Sequence, residues 1–104
     1  MQTYPTGLLS KDEIMHVLAS VRGVIEQKYK VKNIGLFGSY ARGDQHETSD
    51  VDLLVEFFPG ASLLDLTGLR FYLEERLHHS VDVVPLKALR EELKPAILAD
   101  VTYL

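Results

Sequence analysis

Two aspartates one residue apart carry the clearest chemistry in this chain. Asp50 and Asp52 stand at the head of the run Val51-Asp52-Leu53-Leu54-Val55-Glu56-Phe57, in which Val51, Leu53, Val55 and Phe57 alternate with the rest. The alternation predicts a β-strand over 51–57 with one continuous apolar face. Residues i and i+2 of a strand point to the same side, with Cα atoms ~6.6 Å apart, so the two carboxylates can converge to within ~4–6 Å. Like charges that close repel and push one pKa upward unless a cation lies between them. All-oxygen ligands suit a hard ion such as Mg²⁺ or Mn²⁺. The pair alone also fits a plainer arrangement, with Asp50 capping a turn and Asp52 a solvated strand residue.

Two further features change the weight of that pair. Gly38-Ser39 follows the apolar run Ile34 to Phe37 and opens a short helical start over 39–42. Glycine lets a backbone approach a ligand closely, and free N–H groups at a helix start favour phosphate. Ser39 adds a hydroxyl donor, and Arg42, one turn on, can pair with a phosphate or with one of the aspartates. Gly43 allows a left-handed exit. By itself Gly-Ser is a common turn. Asp82 is the second feature. It interrupts the apolar strand Val81-Asp82-Val83-Val84, where a carboxylate is costly unless paired or metal-bound. Three carboxylates on neighbouring strands can hold two divalent ions ~3.5–4 Å apart, an arrangement suited to in-line displacement at phosphorus.

The elements that must position these residues follow from periodicity. Ser10-Lys11-Asp12-Glu13 reads as a capping box, and Ile14, Val17, Leu18, Val21, Val24 and Ile25 continue it as an amphipathic helix over about 10–29. Gly23 within it suggests tight packing. Ser62 caps a helix over about 62–78 with Leu66, Leu69, Leu73 and Leu77 as its stripe. After Pro85 comes a helical stretch carrying Leu89, Leu93, Ile97 and Leu98, which Pro95 should split, and residues 101–104 form a last edge strand. Residues 1–9, with Pro5 and Gly7, read as a loose lead-in. The class is α/β or α+β around one sheet. The stretch from Phe57 to Val81 leaves room for a helical crossover and a parallel pair, whereas the link from Phe37 to Val51 favours an antiparallel one, so a mixed sheet is expected.

The strings Gly38-Ser39-Tyr40-Ala41-Arg42-Gly43, Ser49-Asp50-Val51-Asp52-Leu53-Leu54-Val55 and Val81-Asp82-Val83-Val84 resemble the minimal nucleotidyltransferase (MNT) domains of the DNA polymerase β-like superfamily, over about residues 10–104. The resemblance implies a nucleotidyltransferase fold, a mixed β-sheet flanked by α-helices. It implies a Mg²⁺-dependent enzyme, with Mn²⁺ as an alternative ion, that uses ATP as substrate. Asp50 and Asp52 would bind the metal. Asp82 would be the third carboxylate, binding one metal and helping to deprotonate the attacking hydroxyl. Gly38 and Ser39 would hold the nucleotide phosphates, and Arg42 matches the family's arginine and is grouped with them. The resemblance further implies an antitoxin that transfers AMP to a tyrosine of a HEPN-domain toxin partner.

Composition sets the outer limits. A chain of 104 residues is expected to form one domain, and 46% hydrophobic residues supply a core. The net charge of −4 argues against general nucleic-acid binding. With no cysteine, thiol catalysis and cysteine-zinc sites are excluded. No apolar stretch approaches the ~18 residues of a membrane span, and Met1 to Leu9 has neither the basic region nor the apolar core of a signal peptide, so a cytoplasmic protein is expected. A small domain has no second lobe to close over a nucleotide and its acceptor, so a partner chain or a second copy, a homo-oligomer, should complete the site. Phe71 is a candidate contact. Other readings stay open: a non-catalytic binding module that neutralises a partner by contact, or nucleotidyl transfer to a small-molecule or RNA acceptor. His78-His79 reads as a solvated helix end, because adjacent helical side chains do not share a face. His16 reads as surface, and Tyr40 as a packing residue with base stacking as the alternative. His46 lies in the loop between the two motifs, where nucleotide contact is the lesser reading.

Overall fold

The computed structural model describes residues 9–104, so most of the expected lead-in lies outside the described residues. The chain runs α1 (Lys11–Ser20), α2 (Arg22–Tyr29), β1 (Val31–Phe37), α3 (Ser39–Arg42), β2 (Val51–Phe57), α4 (Leu63–Leu77), β3 (Val81–Pro85), two single 3₁₀ turns (Leu86–Ala88 and Glu91–Leu93), α5 (Lys94–Asp100) and β4 (Thr102–Tyr103). The four strands lie in the order β3-β2-β1-β4. β1 is antiparallel to both β2 and β4, and β2 is parallel to β3. This is the mixed sheet with flanking helices that the link lengths predict: the short link turns the chain back, and the link through α4 brings it round in the same direction.

Local chemistry explains where the helices begin. Ser10 Oγ accepts from the Glu13 N–H at 3.0 Å, and the Ser10 N–H donates to Glu13 Oε1 at 2.8 Å, so the expected capping box is formed. At α4 the Ser62 N–H donates to Asp65 Oδ2 at 2.9 Å. Three expectations need correction. The first helix is not continuous over 10–29: it breaks at Val21 (φ −107°, ψ 6°), whose side chain stays buried in the core. Gly23, just past the break, has open space where a Cβ would stand, so tight packing does not account for it. Pro95 does not split a helix either; it lies in the first turn of α5, where its missing N–H has no intrahelical partner to lose.

The sheet buries its two faces unequally. On one, Val51, Leu53 and Val55 of β2 are fully buried among Ile14 and Leu18 of α1, Ile25 of α2, and Leu69 and Leu73 of α4. Each such side chain contributes ~1.5–3 kcal/mol on leaving water. Phe57 packs at the margin of this cluster. On the other face a smaller cluster of Phe37, Leu54 and Leu89 is flanked by Val84, Leu86, Ile97 and Val101. This second face is the one to which Asp52 belongs, by alternation with Val51 and Leu53.

Candidate active site

The position of the acidic residues is a matter of strand register. Asp52 is the second residue of β2, opposite Phe37 of β1 on one side and Asp82 of β3 on the other. Asp52 and Asp82 are therefore direct neighbours across a parallel pair and leave the sheet on the same side. Asp82 is exposed and Asp52 half-buried. Asp50 lies just before β2, where its Oδ1 accepts from Ser80 Oγ in the turn leading to β3. Burial first, then repulsion from Asp82 and from Asp50, pushes the Asp52 carboxyl up to about 6, while Arg42 pulls it the other way.

Gly38 ends β1 beside this group with φ +77° and ψ −156°, and a Cβ on it would run into Asp52 Oδ2. The residue is glycine for two reasons at once: a backbone angle that side chains disfavour, and a carboxylate already occupying the space. The chain then turns into α3, with Ser39 as its first residue and half-buried. Gly43 closes that turn with φ +85°, the expected left-handed exit, and donates its N–H to the Ser39 carbonyl at 2.8 Å. The bend and the three aspartates thus share one end of the sheet.

Arg42 is engaged elsewhere. Its Nη1 donates to Asp100 Oδ2 at 2.8 Å and its Nε to Asp44 Oδ2 at 3.1 Å, so it ties α3 to the end of α5 rather than to Asp50 or Asp52. Tyr40 is fully buried, with its hydroxyl 3.2 Å from His79 Nε2, so packing describes it and base stacking does not. His16 is exposed, as read from the sequence. His46 folds its own loop, with its N–H donating to Ser49 Oγ at 3.0 Å and its Nδ1 2.9 Å from Thr48 Oγ1.

His79 is the residue that sequence reasoning missed. α4 stops at Leu77 and His78 turns the chain with φ +53°, so His79 is not on a helix at all. It is half-buried, with Nε2 2.6 Å from the Ser49 carbonyl oxygen. The only local signal was a strand beginning at Val81, which leaves too little room for a helix continuing through 79.

The family model for a nucleotidyltransferase domain matches residues 18–104. The chain belongs to the nucleotidyltransferase domain family. Among relatives of this nucleotidyltransferase is the protein adenylyltransferase MntA of Thermococcus cleftensis, 37% identical over 97 residues, covering 93% of this chain and 98% of that protein. Another is MJ1217 of Methanocaldococcus jannaschii, assigned as a protein adenylyltransferase, 39% identical over 93 residues and covering 88% and 95% of the two chains. Among solved structures, a protein assigned as a minimal nucleotidyltransferase superposes with TM-score 0.80 at 31% identity, covering 92% of this chain and 97% of that one. A toxin–antitoxin crystal structure with AMP-PNP superposes with TM-score 0.66 at 26% identity, covering 91% and 72%.

The donor chemistry of this nucleotidyltransferase fits a divalent ion. Three carboxylates lie along and across adjacent strands, and among the described residues no lysine, arginine or histidine forms an ion pair with any of them. The aspartates are neighbours rather than a closed cage: among the described residues no three acidic or imidazole groups stand around one point. Among the described residues, no helix is long and apolar enough to cross a membrane.

Proposed function

We propose that this chain is a protein adenylyltransferase that moves AMP from ATP to a hydroxyl of a partner protein, a tyrosine of a HEPN-type toxin, and so acts as an antitoxin. The observation that carries the reading is the register of Asp52 against Asp82, with Asp50 before one of them and Gly38 packed against Asp52. The relative named MntA is a protein adenylyltransferase, and one structural neighbour is a toxin–antitoxin assembly with AMP-PNP, which supports both the reaction and the kind of partner.

In this reading Asp50 and Asp52 hold Mg²⁺ or Mn²⁺, with Asp82 as the third carboxylate. When bound, divalent ions neutralise charge on the α-phosphate and on the leaving pyrophosphate. Gly38, lacking a side chain, leaves room for the Asp52 carboxylate beside the bend, and Ser39 donates its hydroxyl to the phosphates. The partner's hydroxyl oxygen attacks the α-phosphorus, the bond to pyrophosphate breaks, and the hydroxyl proton passes to the Asp82 carboxylate. Rate enhancement comes from positioning and electrostatics. Arg42 reaches a phosphate only by exchanging Asp100 for it. The site is open on the sheet face, and the partner that brings the acceptor also covers it. Phe71, Leu63 and Leu64 stand exposed on α4, which packs on the opposite face of the sheet, so a partner that uses them as contacts must also reach round the sheet to the site.

The test is transfer of labelled AMP from ATP to the cognate partner with Mg²⁺. Asp50→Asn/Asp52→Asn should abolish labelling and also abolish neutralisation of the toxin. Full labelling by the double variant would refute the reading, and neutralisation without labelling would mark a binding module instead.

A further inference from the structure

We propose that His79 is a positioning residue that fixes Asp50 for metal binding, an inference that rests on the reading of Asp50 given under Proposed function. Its Nε2 lies 2.6 Å from the Ser49 carbonyl oxygen, and a carbonyl can only accept, so Nε2 carries the hydrogen. The Tyr40 hydroxyl oxygen lies 3.2 Å from the same nitrogen, and in the Nε2–H tautomer Nδ1 carries no hydrogen. Ser49 is the residue directly before Asp50.

The contacts continue in order along the two segments. Ser80 Oγ donates to Asp50 Oδ1, and the Val51 N–H donates to the Ser80 carbonyl at 3.0 Å. Residues 79–80 therefore bond residues 49, 50 and 51 in turn, and the same short segment runs on into Asp82 two residues later. The Tyr40 ring meets the imidazole edge-on, with centroids 5.6 Å apart. Two acidic side chains from segments far apart in the sequence thus share one small support, and His79 is the part of it that reaches into the interior. Removing the imidazole frees the Ser49 carbonyl and strips the buried Tyr40 hydroxyl of its partner, leaving Asp50 held through Ser80 alone.

Two measurements on the full chain decide the matter. ¹⁵N NMR should show neutral His79 as the Nε2–H tautomer, and an Nδ1–H tautomer would overturn the proposal outright. Titration of Mn²⁺ in the presence of AMP-PNP should show His79→Ala binding the ion about tenfold more weakly than wild type, the range typical of a lost support behind a metal ligand. His79→Gln, whose amide N–H can still reach the carbonyl, should return to within about threefold. Equal Mn²⁺ affinity in wild type and His79→Ala would sink the role of His79 while leaving the proposed function standing. Absence of Mn²⁺ binding in wild type itself would remove the proposed function and this inference together. If His79→Ala does not fold, the tautomer and the Gln variant still test the role: a Gln variant that folds but binds Mn²⁺ about tenfold more weakly would overturn it.

Discussion

Asp52 and Asp82 face each other across a parallel strand pair, with no cation paired to either among the described residues. Burial and that repulsion lift the Asp52 carboxyl from an ordinary value of 3.8 to about 6. Between these two values the folded chain binds more protons than the unfolded one, so stability falls as pH rises through the window. In EDTA, the melting temperature should rise on going from about pH 7 to about pH 5. Asp52→Asn should flatten that dependence and melt at or above wild type near neutral pH, because the repulsion is gone while the function is lost. Thermal melts across this range check both, and a large drop for Asp52→Asn would mean that the carboxylate is structural.

Gly38→Ala combines a backbone angle of φ +77° with a collision against Asp52 Oδ2. The angle alone costs about 1–3 kcal/mol, and displacement of the carboxylate should cut AMP transfer about 100-fold. Gly43→Ala is the matched control, with φ +85° but open space around the added methyl. It should lose stability in urea unfolding yet keep much more of the transfer rate. Equal rates for the two variants would show that Gly38 serves the turn and not the aspartate.

The Arg42–Asp100 pair is exposed, so breaking it should shift stability by no more than about 1 kcal/mol. Its effect should appear in nucleotide affinity instead. Asp100→Asn releases Arg42 and should tighten AMP-PNP binding a few-fold, while Arg42→Ala should weaken it. Calorimetric titration measures both, and unchanged affinity in the two variants would remove Arg42 from the nucleotide site.

One helix gives a contrast between core and surface. Leu69 of α4 is fully buried and Phe71 is exposed. Leu69→Ala should cost about 2–5 kcal/mol in urea unfolding. Phe71→Ala should stay within about 0.5 kcal/mol. A lower affinity of Phe71→Ala for a captured partner would place the interface on α4.

What could be read in advance was whatever depends on near neighbours in the chain. The alternation of Val51, Leu53 and Val55 set both the strand and the face from which Asp52 projects, and the link lengths set which pairs run parallel. The break at Val21 carries no such mark, since valine is neither a helix breaker nor a usual cap. Pro95 was ambiguous because proline both ends one helix and suits the first turn of the next. Arg42 was visible as a cation near the motif, but its partner Asp100 lies 58 residues away. His79 was hidden for the same reason: its partners Tyr40 and Ser49 are 39 and 30 residues away. Contacts of that span are decided by how strands and helices pack, and no local pattern encodes them.

β3 is one of the two outer strands of the sheet, five residues long, and its second residue is Asp82. An exposed rim of unpaired backbone groups invites another chain to add a strand there, and a short run carrying a charge discourages it. The aspartate given the proton-accepting role in transfer is thus also the charge carried by that edge. Replacing it with an apolar residue would take that charge off the edge together with its place in the proposed chemistry.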